Sequence, residues 1–308
     1  NQAGSLRLSR GTEIVAAAQA RQEVLVWTDS SLYSLQYVGA GSGVWAAQLV
    51  GEQISIASQN SVAYASGVSY WMGKDKFYMY DGSTQPLQCD LRKYVFTDFN
   101  TEQYNQVFGG SNEAFNEVWW FYCSSSATDN DRYVVYNYLE HIWYYGSMAR
   151  SAWLDSGLRA FPLAATFNSV LVNHEEGVDD NETGTTAAIP AFITSADFDL
   201  EDGDRFMLMS RVLPDVSFEG STAANPAITM SFFPLTSSGS GYNSPTSESG
   251  VSTGVATRSA TSPVEVYTSQ IHTRVRGRQV SMKIESSAAG VQWQSGATRI
   301  DIRPDGRR

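Results

Sequence analysis

Three groups of residues in this chain have types and spacings that chemistry can use. The first is Asp197-Phe-Asp199-Leu-Glu201-Asp202-Gly203-Asp204. Closely spaced carboxylates in a loop can converge on a hard cation through their oxygens. The run departs from the EF-hand pattern, because its glycine comes one place late and no closing Glu follows at the needed distance. A strand that ends in an acidic turn explains the same residues, and the sequence calls for no metal or other cofactor. The second group is Arg274, Arg276 and Arg278, which in a strand would line one face. Guanidinium forks grip carboxylates or phosphates bidentately, so the partner is either an acidic neighbour or DNA. The surrounding body is acidic and no aromatic residues interleave for single strands. Arg274, Arg276, Arg278 and Arg303 are therefore candidates for a subunit interface, with Arg299, Arg307 and Arg308 adding to the basic end. The third is His174 beside Glu175, the best pair here for acid–base work. The other histidines, His141 and His272, have no second histidine at ligand spacing. There is no Gly-x-Ser-x-Gly elbow, phosphate loop, dinucleotide fingerprint or His-Glu-x-x-His. No catalytic residue is nominated, and the chain reads as a scaffold and not an enzyme.

The elements that must carry these groups are strands. An aromatic strand-turn-strand unit recurs as EVLVWTDSSLYSLQYVG (Glu23 to Gly39), VSYWMGKDKFYMYDG (Val68 to Gly82), NEVWWFYCS…DRYVVYNYLEHIWYYG (Asn116 to Gly146) and LAATFNSVLVNHEEG (Leu163 to Gly177). Its anchors, Trp27, Trp71, Trp119 and Phe167, are 44, 48 and 48 residues apart. That period fits one four-stranded blade per repeat and hence a β-propeller. Polar turns such as Thr28-Asp29-Ser30-Ser31 and Gly73-Lys74-Asp75 are hairpin signals. Ile54 to Val68 alternates as a blade strand would. Asp129 to Gly146 carries large side chains on both faces, as a strand sandwiched between layers requires. Glu13 to Arg21 reads as helical turns or a strand rim. Leu91 to Phe108 breaks the pattern with a short helix that turns Val95, Phe99 and Tyr104 inward, and Asn100-Thr101-Glu102 supplies a capped turn.

Composition shifts at the acidic segment Glu175 to Gly184, and the boundary is placed at 186/187. Beyond it, strands are expected at Ile189 to Thr194, Phe206 to Val216, Ala227 to Phe233, Val264 to His272, Val280 to Ser286, Val291 to Trp293 and Thr298 to Ile302, a β-sandwich or open barrel. The Ser/Thr/Gly-rich stretch 237–263 reads as a long loop. The expected fold class is all-β, with a β-propeller-like repeat domain over 1–186 and a β-sandwich-like domain over 187–308.

With Lys plus Arg at 21 and Asp plus Glu at 32, the net charge is −11, which disfavours nonspecific nucleic-acid binding through the average field. Residues 251–308 hold nine Lys/Arg against four Asp/Glu, a net of +5, and the remainder carries −16. An acidic body with a basic end can dock head to tail with its own copy. The two cysteines, Cys89 and Cys123, lack metal-ligand spacing and read as buried thiols. No apolar run is long enough for a membrane span. The chain starts without Met and close to its first strand, so blades upstream of it are expected.

NEVWWFYCS (Asn116 to Ser124), DRYVVYNYLEHIWYYGSMARSAWLDSG (Asp131 to Gly157) and VRGRQVSMKIESSAAGVQWQSGATRIDIRPDGRR (Val275 to Arg308) resemble the structural proteins of tailed phages. More broadly, the repeats resemble the propeller-bearing hub or nozzle proteins of short-tailed phages, the tail accessory or DNA-stabilisation type. The resemblance covers most of the chain from Glu23 onward and brings no active-site residues with it. It implies a virion protein of the phage tail that forms a homo-oligomeric, six-fold ring below the portal and tail adaptor. Such a ring contacts other tail proteins and encloses a channel through which DNA leaves without sequence-specific binding. Two other functions stay open on the residues alone: a carbohydrate-binding propeller for host attachment, and a propeller hydrolase.

Overall fold

Strands that carry bulky apolar side chains on both faces need a covering layer on each side, and the first half of the molecule is built to meet that need. The computed structural model describes residues 5–39, 44–201, 203–235 and 259–306. Two compact units, Asn1–Glu176 and Gly177–Arg308, divide the chain.

The first unit is a succession of antiparallel sheets, each running in chain order. The first sheet comprises Ile14–Gln19, Val24–Thr28, Ser31–Tyr37 and Trp45–Glu52. The second comprises Val62–Ala65, Val68–Met72, Phe77–Tyr80 and Thr84–Leu87. The third comprises Phe108–Asn112, Glu117–Tyr122, Arg132–Asn137 and Ile142–Ser147. A fourth, of only three short strands, comprises Ala152–Leu154, Leu163–Ala165 and Leu171–Asn173.

Aromatic side chains join each sheet to the next. Trp27 meets Trp71 edge-to-face at 5.3 Å, and Trp71 stacks on Tyr78 at 5.2 Å. Phe77 of the second sheet lies 5.0 Å from Trp120 and 4.7 Å from Trp143 of the third. Trp119 stacks on Trp153 of the fourth at 5.2 Å. Neighbouring side chains of a strand point to opposite faces. Trp119 and Trp120 therefore serve different sheets, and every residue of Glu117–Tyr122 is buried. Burying one such ring contributes on the order of 2–3 kcal/mol.

The tryptophan anchors occupy equivalent places, since Trp27, Trp71 and Trp119 each lie on the second strand of their sheet. Phe167 does not continue the series. It falls in the turn after Leu163–Ala165 and is 43% exposed. Phe108–Asn112 runs beside both Val62–Ala65 and Ala152–Leu154, the first strands of the sheets on either side of it. Gly110 makes the second approach possible, because a Cβ there would sit 2.3 Å from Cδ1 of Trp153. The Trp153 Nε1–H donates to the Ser111 carbonyl at 2.8 Å.

Ile14–Gln19 is a strand and not a helix, because the hairpin that follows offers it an edge to pair with. Of Ile54 to Val68, only Val62–Ala65 is a strand before Val68 itself opens the next, although Ile54, Ile56 and Ala57 are buried. The helix is Arg92–Asp98, with Val95 and Phe99 inward. Tyr104 instead faces solvent at 39% exposure, beneath the Lys74 ammonium 4.6 Å from its ring centre. Asn100 caps the next turn by accepting from the Glu102 N–H at 3.0 Å. Both cysteines are free thiols, and burial pushes Cys123 up to about 11 and Cys89 up to about 12.

In the second unit the acidic segment is structured. Asp179–Asp180 pairs with Ala187–Ala188, and Asp179 accepts from the Gly290 N–H at 2.6 Å. That hairpin holds residues 177–186 in the second unit, so the division falls at the start of the acidic segment, between Glu176 and Gly177, and not at 186/187. One sheet is ordered Ala191–Thr194, Gln279–Ser286, Ala227–Leu235, Ala260–Glu265, with Phe198–Asp199 also pairing to the strand Gln279–Ser286. The other is ordered Ile271–Gly277, Met207–Leu213, Arg299–Pro304. Their apolar faces share a core that includes Met207, Met209, Val275, Met230, Phe232 and Ile284.

The stretch Val264 to His272 is not one strand. It contains the turn between Ala260–Glu265 and Ile271–Gly277, closed by the Thr268 N–H donating to the Glu265 carbonyl. Its two apolar turn residues, Val266 and Tyr267, stand in solvent. Val291 to Trp293 is irregular, and Gln294–Ser295 pairs with Val216–Ser217. Of the long loop 237–263, residues 237–258 lie outside the described residues and Ala260 to Pro263 belong to a strand. The protein is thus all-β, and among the described residues no sheet closes on itself. No helix among those residues is long and apolar enough to cross a membrane.

Candidate interaction surfaces

Alternation along the strand Ile271–Gly277 puts Ile271, Val275 and Gly277 in the core and leaves His272, Arg274 and Arg276 exposed. Register adds the neighbours. Arg276 lies opposite Leu208, and Leu208 lies opposite Arg303. His272 lies opposite Arg211, and Arg211 opposite Asp301. Arg299 follows on the same outward face two residues from Asp301, opposite Leu213. The register shifts between Met209 and Arg211, a bulge that re-aims side chains and bends the strand.

Two of these arginines are held in place. Arg211 Nε donates to Asp301 at 2.7 Å, and Arg276 Nε donates to Asp305 at 2.5 Å. The Phe206 ring lies under Arg276 at 4.2 Å and Arg278 at 5.3 Å. Arg278 follows the end of the strand and is half-buried, and its backbone N–H donates to the Leu235 carbonyl at 2.8 Å. Arg274, Arg299 and Arg303 are exposed and engage no carboxylate among the described residues. The structure thus gathers Arg274, Arg276 and Arg303 on one sheet face and adds Arg211, Arg299 and His272. Arg211 was invisible to a search for clusters along the chain, because it joins the face only through strand pairing. Arg307 and Arg308 lie outside the described residues.

The carboxylate run is used locally. Asp199 accepts from Gln279 Nε2 at 3.2 Å and folds over Gly203, whose added Cβ would meet Asp199 Oδ2 at 2.7 Å. Asp204 lies 3.9 Å from Arg205. Glu201 takes a left-handed turn conformation, and Asp202 lies outside the described residues. Asp197 lies between the strands Ala191–Thr194 and Phe198–Asp199. No three His, Cys, Asp or Glu among the described residues are arranged to hold a metal ion.

A second cluster of interest sits in the first unit, at one end of the third and fourth sheets. Three successive residues collect it. Ser111 Oγ donates to Asp155 at 2.8 Å, Asn112 Nδ2 donates to Glu175 at 3.2 Å, and the Glu113 N–H donates to Asp155 at 3.1 Å. Beneath them Glu117 is 8% exposed. It accepts from Tyr144 Oη and, at 2.9 Å, from Trp119 Nε1. Burial pushes the Glu117 carboxyl upward against the pull of the hydrogen bonds from Tyr144, Trp119 and Asn112. Burial and then the Glu117 charge push Glu175 the same way. The Asn112 side-chain amide oxygen is buried with no hydrogen-bond donor among the described residues. His174 is drawn off from Glu175, because Arg150 Nε donates to its Nε2 at 3.0 Å and its ring lies 4.8 Å from Trp153. The pair His174–Glu175 is therefore divided between two networks, and the motif search missed Glu117 because its partners come from other strands. No family model matches the chain, and no curated protein matches it.

Proposed function

We propose that this chain is a structural protein of a phage tail, a hub or nozzle component whose copies form a ring around the channel for DNA ejection. The observation that carries the reading is the stack of meander sheets in the first unit, each locked to the next by tryptophan. Read as blades, these sheets make a β-propeller-like platform with the strands Val62–Ala65, Phe108–Asn112 and Ala152–Leu154 innermost, and the paired sheets of the second unit make a β-sandwich-like module. Such a platform offers many rim surfaces to neighbours. The net charge of −11 supports passage of a duplex that slides without adhering. The sequence resemblance to nozzle proteins supports the same reading, that of a virion scaffold and not a catalyst. Electron microscopy of the purified chain tests it: rings with a central channel are expected, and monomers at every concentration would overturn it.

A second reading, a carbohydrate-binding propeller for host attachment, has one observation in its favour. Tyr37 and Trp45, at 61% and 47% exposure, form an edge-to-face pair at 5.8 Å across the last two strands of the first sheet. Exposed rings of this kind can stack on sugar faces. On a glycan array this reading expects binding that the double variant Y37A/W45A loses, and an array with no signal would remove it.

A further inference from the structure

We propose that the arginine face of the second unit docks onto the carboxylate-rich end of the first unit of another copy of this chain. The inference deepens the ring reading and rests on it. Each surface carries charge that the described residues of its own unit leave uncompensated. On the basic side, Asp301 and Asp305 already hold Arg211 and Arg276. Arg274, Arg299 and Arg303 remain, exposed and spaced by strand pairing on a sheet face. On the acidic side, Glu113, Asp155 and Glu175 gather around the end of Phe108–Asn112, and none has an ion-pair partner among the described residues.

Like charges held this close raise the energy of the free surface, and an opposing charged surface relieves both at once. Arg274 and Arg303 lie on the two outer strands with Met207–Leu213 between them, about 10 Å apart, and each guanidinium fork can capture a carboxylate bidentately. Leu208 and Leu213 lie on the same face between the arginines, half-buried. Apolar surface interspersed with cations suits a protein partner better than a phosphate backbone, which asks for cations throughout. The two patches differ, so the contact is heterologous, and contacts of that type close rings or extend chains.

Sedimentation velocity of the full chain tests this at low and high salt. The wild type is expected to assemble, and less so in high salt. The variant R274E/R299E/R303E should self-associate at least about tenfold more weakly, and so should E113K/E175K. An equimolar mixture of the two variants should assemble again, because each then carries the charge that the other requires. That recovery could not come from misfolded chains. If the arginine variant assembles as well as the wild type, this docking mode is wrong while the ring reading stands. A wild type that stays monomeric removes both. If the arginine variant loses binding to a short DNA duplex and keeps its self-association, the face is a nucleic-acid site and the proposal falls.

Discussion

Replacing Trp120 by alanine is expected to destabilise the first unit by about 3–5 kcal/mol, the range for deleting a fully buried aromatic. Trp120 has no exposed surface. Its ring lies 5.0 Å from Phe77 and 6.0 Å from Trp143, and its Nε1–H donates to the Ser61 carbonyl at 2.9 Å. One deletion therefore opens a cavity between two sheets and leaves the Ser61 carbonyl with only the longer bond from the Met72 N–H, 3.4 Å. Trp120→Phe keeps most of the ring and loses the hydrogen bond, so its cost should be nearer about 1–2 kcal/mol. Urea unfolding followed by fluorescence measures this, since seven of the eight tryptophans lie in the first unit and only Trp293 lies in the second. The alanine variant should lower the midpoint by about 1–2 M. An unchanged midpoint would mean that the second and third sheets do not depend on each other.

The second large effect belongs to Glu117. Alanine there leaves Trp119 Nε1 and Tyr144 Oη without their acceptor, at a cost of about 2–4 kcal/mol. Glutamine is expected to behave differently, because its amide oxygen can accept from Trp119 while its NH2 group donates to Tyr144 Oη. The pH dependence separates charge from packing. The folded pKa of Glu117 is raised by burial, so the folded state holds the proton more tightly than the unfolded chain. Its contribution is fully present below the unfolded value, about 4–5, and is lost as pH rises through the folded value. Wild-type stability should thus fall on the alkaline side of the ordinary carboxylate range, and Glu117→Gln should flatten that fall. Glu175 shifts in the same direction. Thermal unfolding across pH decides, and equal slopes for wild type and Glu117→Gln would show that Glu117 takes up its proton alike in the folded and unfolded chain.

Much of the fold could be read in the sequence, because the strands announce themselves through alternation and the turns through polar pairs. The hairpin at Val24 to Tyr37 and the sandwiched strand at Arg132 to Asn137 follow from side-chain type alone. Phe167 misleads because a spacing argument sees the period and not the face. A ring at the right interval need not point inward when its sheet has shrunk to three short strands. Val264 to His272 misleads because a five-residue turn between two strands can itself hold β-branched and aromatic residues. The surfaces were only half legible. Arg274 and Arg276 are neighbours along the chain, but Arg211, Arg299 and Arg303 reach them across hydrogen bonds between strands far apart in sequence. Glu117 gave no signal, since a lone Glu in an apolar strand acquires meaning only from the Tyr144 and Trp119 that surround it.

The thin fourth sheet has a dynamic consequence. Its strands are three residues each, and of its side chains only Ala164 is buried outright, while Leu154 and Leu171 are 57% and 73% exposed. Local opening is cheapest where few apolar contacts must be given up. The first unit therefore breathes from this side, and each opening uncovers the Trp119 indole before any tryptophan deeper in the stack. Among the buried rings, oxidants and small hydrophobic dyes would reach Trp119 first, well before the unit unfolds as a whole.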